Sequence, residues 1–160
     1  MTQLLEEHSF IFDLDKTLWN TYNKHGQEIW AKQLIPPYAL EGKDKVVDDS
    51  FSYCVLKPGA RLFLNFLHSQ GKSIGFISLG SLFAAPHNKQ PSLILLKMFG
   101  LYDLFNGEKI LDYKTSSKAQ YFKSRCVFFD DDKKVLDSVK DIPHVQAYDS
   151  NNITDWASLL

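Results

Sequence analysis

The chain has 160 residues, 44% of them hydrophobic and 23% charged, with a net charge of -1. That length suits one well-buried core over residues 1–160 rather than two typical domains, and the near-neutral balance carries no electrostatic footprint of nucleic-acid binding. No apolar run approaches a membrane span, and the polar, acidic stretch from Met1 to His8 does not read as a signal peptide, so a cytoplasmic protein is expected.

Ser9 to Leu14 reads as a buried strand, with Phe10-Ile11-Phe12 running into Asp13-Leu14-Asp15-Lys16-Thr17. Side chains alternate along a strand, so Asp13 and Asp15 share a face if the extended conformation continues. Two carboxylates so close repel each other. A hard cation such as Mg²⁺ would offset that repulsion through oxygen ligands; a strand ending in a solvated Asx turn is the plainer alternative.

Residues 20–57 read as an irregular insert, punctuated by Asn23-Lys24-His25-Gly26, Pro36-Pro37 and Glu41-Gly42-Lys43. Pro58-Gly59 then opens a helix with Leu62, Phe63, Phe66 and Leu67 on one stripe, and Gln70-Gly71 closes it. A strand over Ser73 to Ser78 ends in a hydroxyl. A breaker-rich loop through Pro86 to Pro91 leads to a helix bearing Leu93, Leu96 and Lys97, followed by Phe99-Gly100.

Ile110-Leu111 makes a short strand and Ser117 to Lys123 a short helix. Val127 to Asp130 is a fourth strand that runs into Asp131-Asp132. A helix over Val135 to Val139 and a strand over His144 to Tyr148 follow. This alternation predicts an α/β fold: a three-layer, Rossmann-like parallel sheet of about five strands, with its chemistry at the carboxyl ends of the strands. Cys54 and Cys126 are expected as buried, unpaired residues, and no Cys/His cluster has zinc-site spacing. The five histidines, His8, His25, His68, His87 and His144, pair with no nucleophile and are expected to be structural or exposed.

Taken in order, Asp13-x-Asp15-x-Thr17, Ser78, Lys118 and Asp130-Asp131 resemble the four short motifs of the haloacid dehalogenase (HAD) superfamily of phosphotransferases. Within it, Asp13-Leu14-Asp15-Lys16-Thr17-Leu18-Trp19, Leu56-Lys57-Pro58-Gly59, Ser117-Lys118-Ala119-Gln120-Tyr121-Phe122 and Val127-Phe128-Phe129-Asp130-Asp131-Asp132 are similar to the small magnesium-dependent phosphatases that lack a large cap domain. Those relatives usually carry an arginine after the second-motif serine, where this chain has Leu79.

The resemblance implies a HAD core with no large cap and a short flap made by the insert. It implies a phosphomonoesterase in which Asp13 is the nucleophile and forms an aspartyl-phosphate. Asp15 protonates the leaving oxygen and then activates water. Mg²⁺ is held by the carboxylates of Asp13 and Asp130 and by the backbone carbonyl of Asp15. Ser78 and Lys118 bind the phosphoryl oxygens. Lys114 competes for the lysine role, lying sixteen residues before Asp130 where Lys118 lies twelve before it; Lys118 is preferred because it starts a helix after a serine cap. Asp131 aids the metal through water or orients Lys118, and Asp132 caps the next helix.

Trp19, Tyr22, His25 and Trp30 read either as a flap beside an open site or, for Trp19 equally, as core. An open site admits a phosphorylated small molecule or a phosphoprotein. Two other readings stand beside hydrolysis: a HAD-like protein that transfers glyceryl or phosphoryl groups onto a carrier, which normally brings a cysteine acyl site, and a non-catalytic binding module with the same fold.

Overall fold

The computed structural model describes residues 3–79, 91–112 and 117–160. The first strand, β1 (Ser9–Phe12), is followed by five short strands: β2 (Trp19–Tyr22), β3 (Glu28–Ile29), β4 (Ala39–Leu40), β5 (Lys45–Val47) and β6 (Tyr53–Leu56). Then come α1 (Ala60–Ser69), β7 (Ser73–Leu79), α2 (Pro91–Met98), β8 (Lys109–Asp112), β9 (Cys126–Asp130), α3 (Lys133–Val139) and β10 (Val145–Asp149). Five of the strands form one wholly parallel sheet in the order β10-β9-β1-β7-β8. The expected α/β architecture with a five-stranded parallel sheet is therefore present, and β1 lies at its centre.

Alternation along the strands divides the apolar residues between two faces. Phe10, Phe12, Ile74, Phe76, Val127 and Phe129 meet α1, α2 and Trp156 in the larger core. Phe12 and Phe129 stack with ring centroids 5.1 Å apart. Ile11, Ile77 and Phe128 face the other way and are covered by Phe122 and by Val139 of α3. This second layer is thin: the expected helix over Ser117 to Lys123 is a single 3-10 turn, Ala119–Tyr121. A cavity of about 500 Å³, lined in part by Ser9, Ile11, Gly75 and Tyr121, opens on this face toward the amino-terminal ends of the strands.

Two further expectations are corrected. On α1, the buried residues are Ala60, Phe63, Leu64 and Leu67, an i, i+3, i+4, i+7 set, while Leu62 is 57% exposed. The insert over residues 20–57 is not irregular. It completes an antiparallel sheet in the order β3-β2-β6-β5-β4. The alternation is real but brief: β2 reads buried–intermediate–buried–intermediate and β6 the reverse. Its strands run two to four residues, so turn residues punctuate the segment as densely as strand residues fill it.

Trp19, Val46 and Cys54 of this sheet, with Leu34 from the connection between β3 and β4, join the larger core, so the insert is packed against the parallel sheet rather than hung beside it. Arg61 of α1 straps the two together. Its Nε donates to Asp44 Oδ1 at 3.0 Å, and its remaining nitrogens donate to the carbonyls of Phe99 and Lys43. Gly59, at φ +75°, lies tight against residues 155–157: a Cβ there would lie 2.3 Å from Asp155 Oδ1 and 2.4 Å from the Ala157 nitrogen.

Candidate active site

The carboxyl ends of β1 and β9 meet in a group of acids. Asp13 lies one residue past β1, and its N–H donates to the Phe129 carbonyl at 2.8 Å, continuing the β1–β9 pairing. Asp130 ends β9. By strand alternation both follow the side that carries Ile11 and Phe128. The segment that covers that side contributes Lys118. Its Nζ donates to Asp13 Oδ1 at 2.8 Å and to Asp130 Oδ2 at 2.7 Å. All three side chains are nearly or fully buried, Lys118 being 3% exposed. Burial works against the lysine charge, but the two carboxylates outweigh it and hold the pKa above the ordinary lysine value.

Ser117 is not the cap expected before Lys118: Lys118 itself holds the cap position of the Ala119–Tyr121 turn, and Ser117 Oγ accepts from the Ala119 N–H at 3.3 Å from one residue outside it. The competing Lys114 lies outside the described residues. Ser78 is buried at 7% exposure near the end of β7. Phe12 pairs with Phe76, so Ser78 falls level with the residue after Asp13. Among the described residues it makes no hydrogen bond to Lys118 or to the carboxylates.

The turn after Asp13 is compact. Thr17 and Leu18 both donate their N–H groups to the Leu14 carbonyl, and Lys16 takes a left-handed φ of 65°. Thr17 Oγ1 lies 3.0 Å from Asp13 Oδ2, 3.3 Å from Asp131 Oδ1 and 3.3 Å from Ser150 Oγ. Its single hydrogen is best used on Asp13, the nearest acceptor. Asp15 is turned toward the insert. Its Oδ1 accepts from Trp19 Nε1 at 3.2 Å and its Oδ2 from the Ala31 N–H at 3.1 Å. Its pKa is pushed up to about 6, chiefly by burial, with the Asp13 charge adding to it.

Asp13, Asp130 and Asp131 each offer a carboxylate oxygen within 4.8 Å of the others. Burial and the neighbouring carboxylates also raise the pKa values of Asp130 and Asp131, and the three carboxyl groups face the single ammonium of Lys118. Three hard oxygen donors gathered so closely fit a hard divalent cation, Mg²⁺ among them. The Asp15 carboxylate is not part of this trio. Asp131 stands in it on equal terms with the other two, and no ion pair joins it to Lys118. Asp132 is the cap of α3, its Oδ1 accepting from the Lys134 N–H at 2.9 Å.

Several residues at this edge have no role in the sequence reading. Ser150 and Asn151 follow β10, and Asn151 Nδ2 donates to the Asp131 carbonyl at 2.9 Å. The rule that chemistry gathers at carboxyl ends of parallel strands would have pointed to them, because β10 neighbours β9. Lys57, half-buried, lies within the field of Asp131 and Asp13; burial lowers its pKa more than those acids raise it. Of the expected flap aromatics, Trp19 is fully buried and Trp30 is 46% exposed, with the Lys16 ammonium 3.5 Å from its ring centroid. His144 Nε2 bonds the Phe122 carbonyl at 2.7 Å, a structural contact, and His8, His25 and His68 are exposed. No protein-family model matches this chain, and no curated protein matches it.

Proposed function

We propose that this protein is a divalent-cation-dependent phosphomonoester hydrolase of the HAD type, working through an aspartyl-phosphate in a site without a large cap. The observation that carries the reading is the meeting of Asp13, Lys118 and Asp130 at the carboxyl edge of the sheet, with Asp15 held apart and poised near neutrality. Two acids in different environments suit two roles. Asp13, paired with the Lys118 ammonium, attacks phosphorus. Asp15 gives a proton to the leaving oxygen and then takes one from the water that hydrolyses the aspartyl-phosphate, a role for which a pKa of about 6 is well placed.

Asp13, Asp130 and Asp131 would hold the cation, which supplies charge neutralisation at the phosphoryl oxygens. Thr17 orients Asp13 through its hydroxyl. Lys118 lowers the repulsion between the anionic nucleophile and an anionic phosphate, and Ser78 is proposed as a further donor to the phosphoryl oxygens. The backbone carbonyl of Asp15 is retained as a proposed cation ligand.

Carrier transfer through a cysteine is less well supported. Cys54 and Cys126 are both buried, and burial pushes both thiols up, Cys126 to about 11.

The test is hydrolysis of p-nitrophenyl phosphate with Mg²⁺ and in excess chelator. Turnover that needs the cation and vanishes in Asp13→Asn supports the reading. Undiminished turnover in chelator, or in Asp13→Asn, removes it.

A further inference from the structure

We propose that Trp19 is a positioning residue for the Asp15 proton transfer, acting together with the Ala31 backbone amide; this rests on Asp15 being the general acid. The turn that carries Asp15 spends its own amides elsewhere, since Thr17 and Leu18 both donate to Leu14. Nothing in that turn restrains the Asp15 carboxyl, and repulsion from Asp13 would swing it away. The restraint comes from β2 and from the turn at Ala31. Trp19 Nε1 holds Oδ1 at 3.2 Å and the Ala31 N–H holds Oδ2 at 3.1 Å.

Both donors are themselves fixed. Trp19 is fully buried, pairs with Leu56 across β2 and β6, and its ring lies 6.1 Å from that of Phe99. Ala31 opens a 3-10 turn locked by the Trp30 N–H, which donates to Gln33 Oε1 at 2.8 Å. A carboxylate has about four acceptor sites. One N–H on each oxygen sets the plane of the group and leaves one site per oxygen for the proton and its partner. Proton transfer requires placement within a fraction of an ångström. The antiparallel sheet is thus part of the catalytic apparatus, not a passive cover.

The experiment compares an alkyl phosphate, whose alkoxide cannot leave unprotonated, with p-nitrophenyl phosphate, whose phenolate can. Trp19→Phe keeps an aromatic ring and removes the donor. Ala31→Pro removes the other donor, and Trp30 already holds φ -85° and ψ 146°, the conformation favoured before proline. Each variant is expected to lose on the order of ten-fold more kcat/KM on the alkyl phosphate than on the aryl one, a fraction of the ~10²–10⁴ that general acids supply.

Equal losses on both substrates overturn the positioning role while leaving the proposed hydrolysis intact. A wild-type protein inert toward both substrates removes the proposed function and this role with it. A second measurement needs no Trp19 variant: the Trp19 indole N–H resonance should move in Asp15→Ala while that of Trp156, which has no hydrogen-bond partner among the described residues, stays put. An unmoved Trp19 resonance overturns the inference whatever the kinetics.

Discussion

Replacing Lys118 by methionine keeps the length of the side chain and removes a cation that sits 2.8 Å from Asp13 and 2.7 Å from Asp130. At an effective dielectric constant of ~20, each contact is worth roughly 6 kcal/mol of gross attraction. Much of that is cancelled by the cost of burying the ammonium and by proton uptake on the orphaned acids. The net loss expected on removing one member of a buried ionic group is ~3–5 kcal/mol. For a chain of this size each kcal/mol lowers the midpoint by ~2–4 °C, so thermal unfolding in chelator should drop by roughly 6–20 °C. Divalent cation should recover more of that loss in Lys118→Met than it adds to the wild type, because it replaces missing positive charge. In Mg²⁺, turnover of p-nitrophenyl phosphate should fall by ~10²–10³, the scale of one lost transition-state donor. Lys114→Ala should stay near the wild-type rate. A full-rate Lys118→Met beside an inactive Lys114→Ala would refute the assignment of the lysine.

Asp15→Asn removes the proposed proton donor but keeps the proposed nucleophile, so a rapid burst of p-nitrophenol followed by slow turnover is expected in rapid mixing; a single slow phase with no burst contradicts the division of labour. The metal-free protein should lose stability as pH rises. Asp15 has a folded pKa of about 6 against an ordinary 3.8, and Asp130 and Asp131 are shifted upward too. Their contribution is complete below the unfolded value and is lost as pH climbs through the folded one. Mg²⁺ should therefore raise the melting midpoint more at pH 7.5 than at pH 5, and an equal shift at both would argue against a cation among these acids. Gly59→Ala should cost more than Gly71→Ala. Both glycines have φ above +70°, a strain of ~1–2 kcal/mol for alanine, but only at Gly59 does a Cβ meet backbone. Equal denaturation midpoints for the two variants would contradict the close contact between Gly59 and the 155–157 segment.

Asp13 and Asp130 are legible in the sequence because each ends an apolar strand, and parallel strands bring their carboxyl ends to one edge. Lys118 is legible only through resemblance, since no periodicity marks it; what places it between two buried acids is the chain that covers the second face of the sheet. The insert is harder to read because its strands are two to four residues long, too short for alternation to rise above the glycines and prolines between them. Only after β2 and β6 pair does Trp19 become a core residue with one polar atom to satisfy. Only after the chain turns back at Ala31 does an amide sixteen residues downstream reach the carboxyl of Asp15. A sequence states which groups can donate and accept, but the partner of a buried donor is decided by closure of the chain. The residues that hold Asp15 in place are therefore the part of this site that only the folded chain can identify.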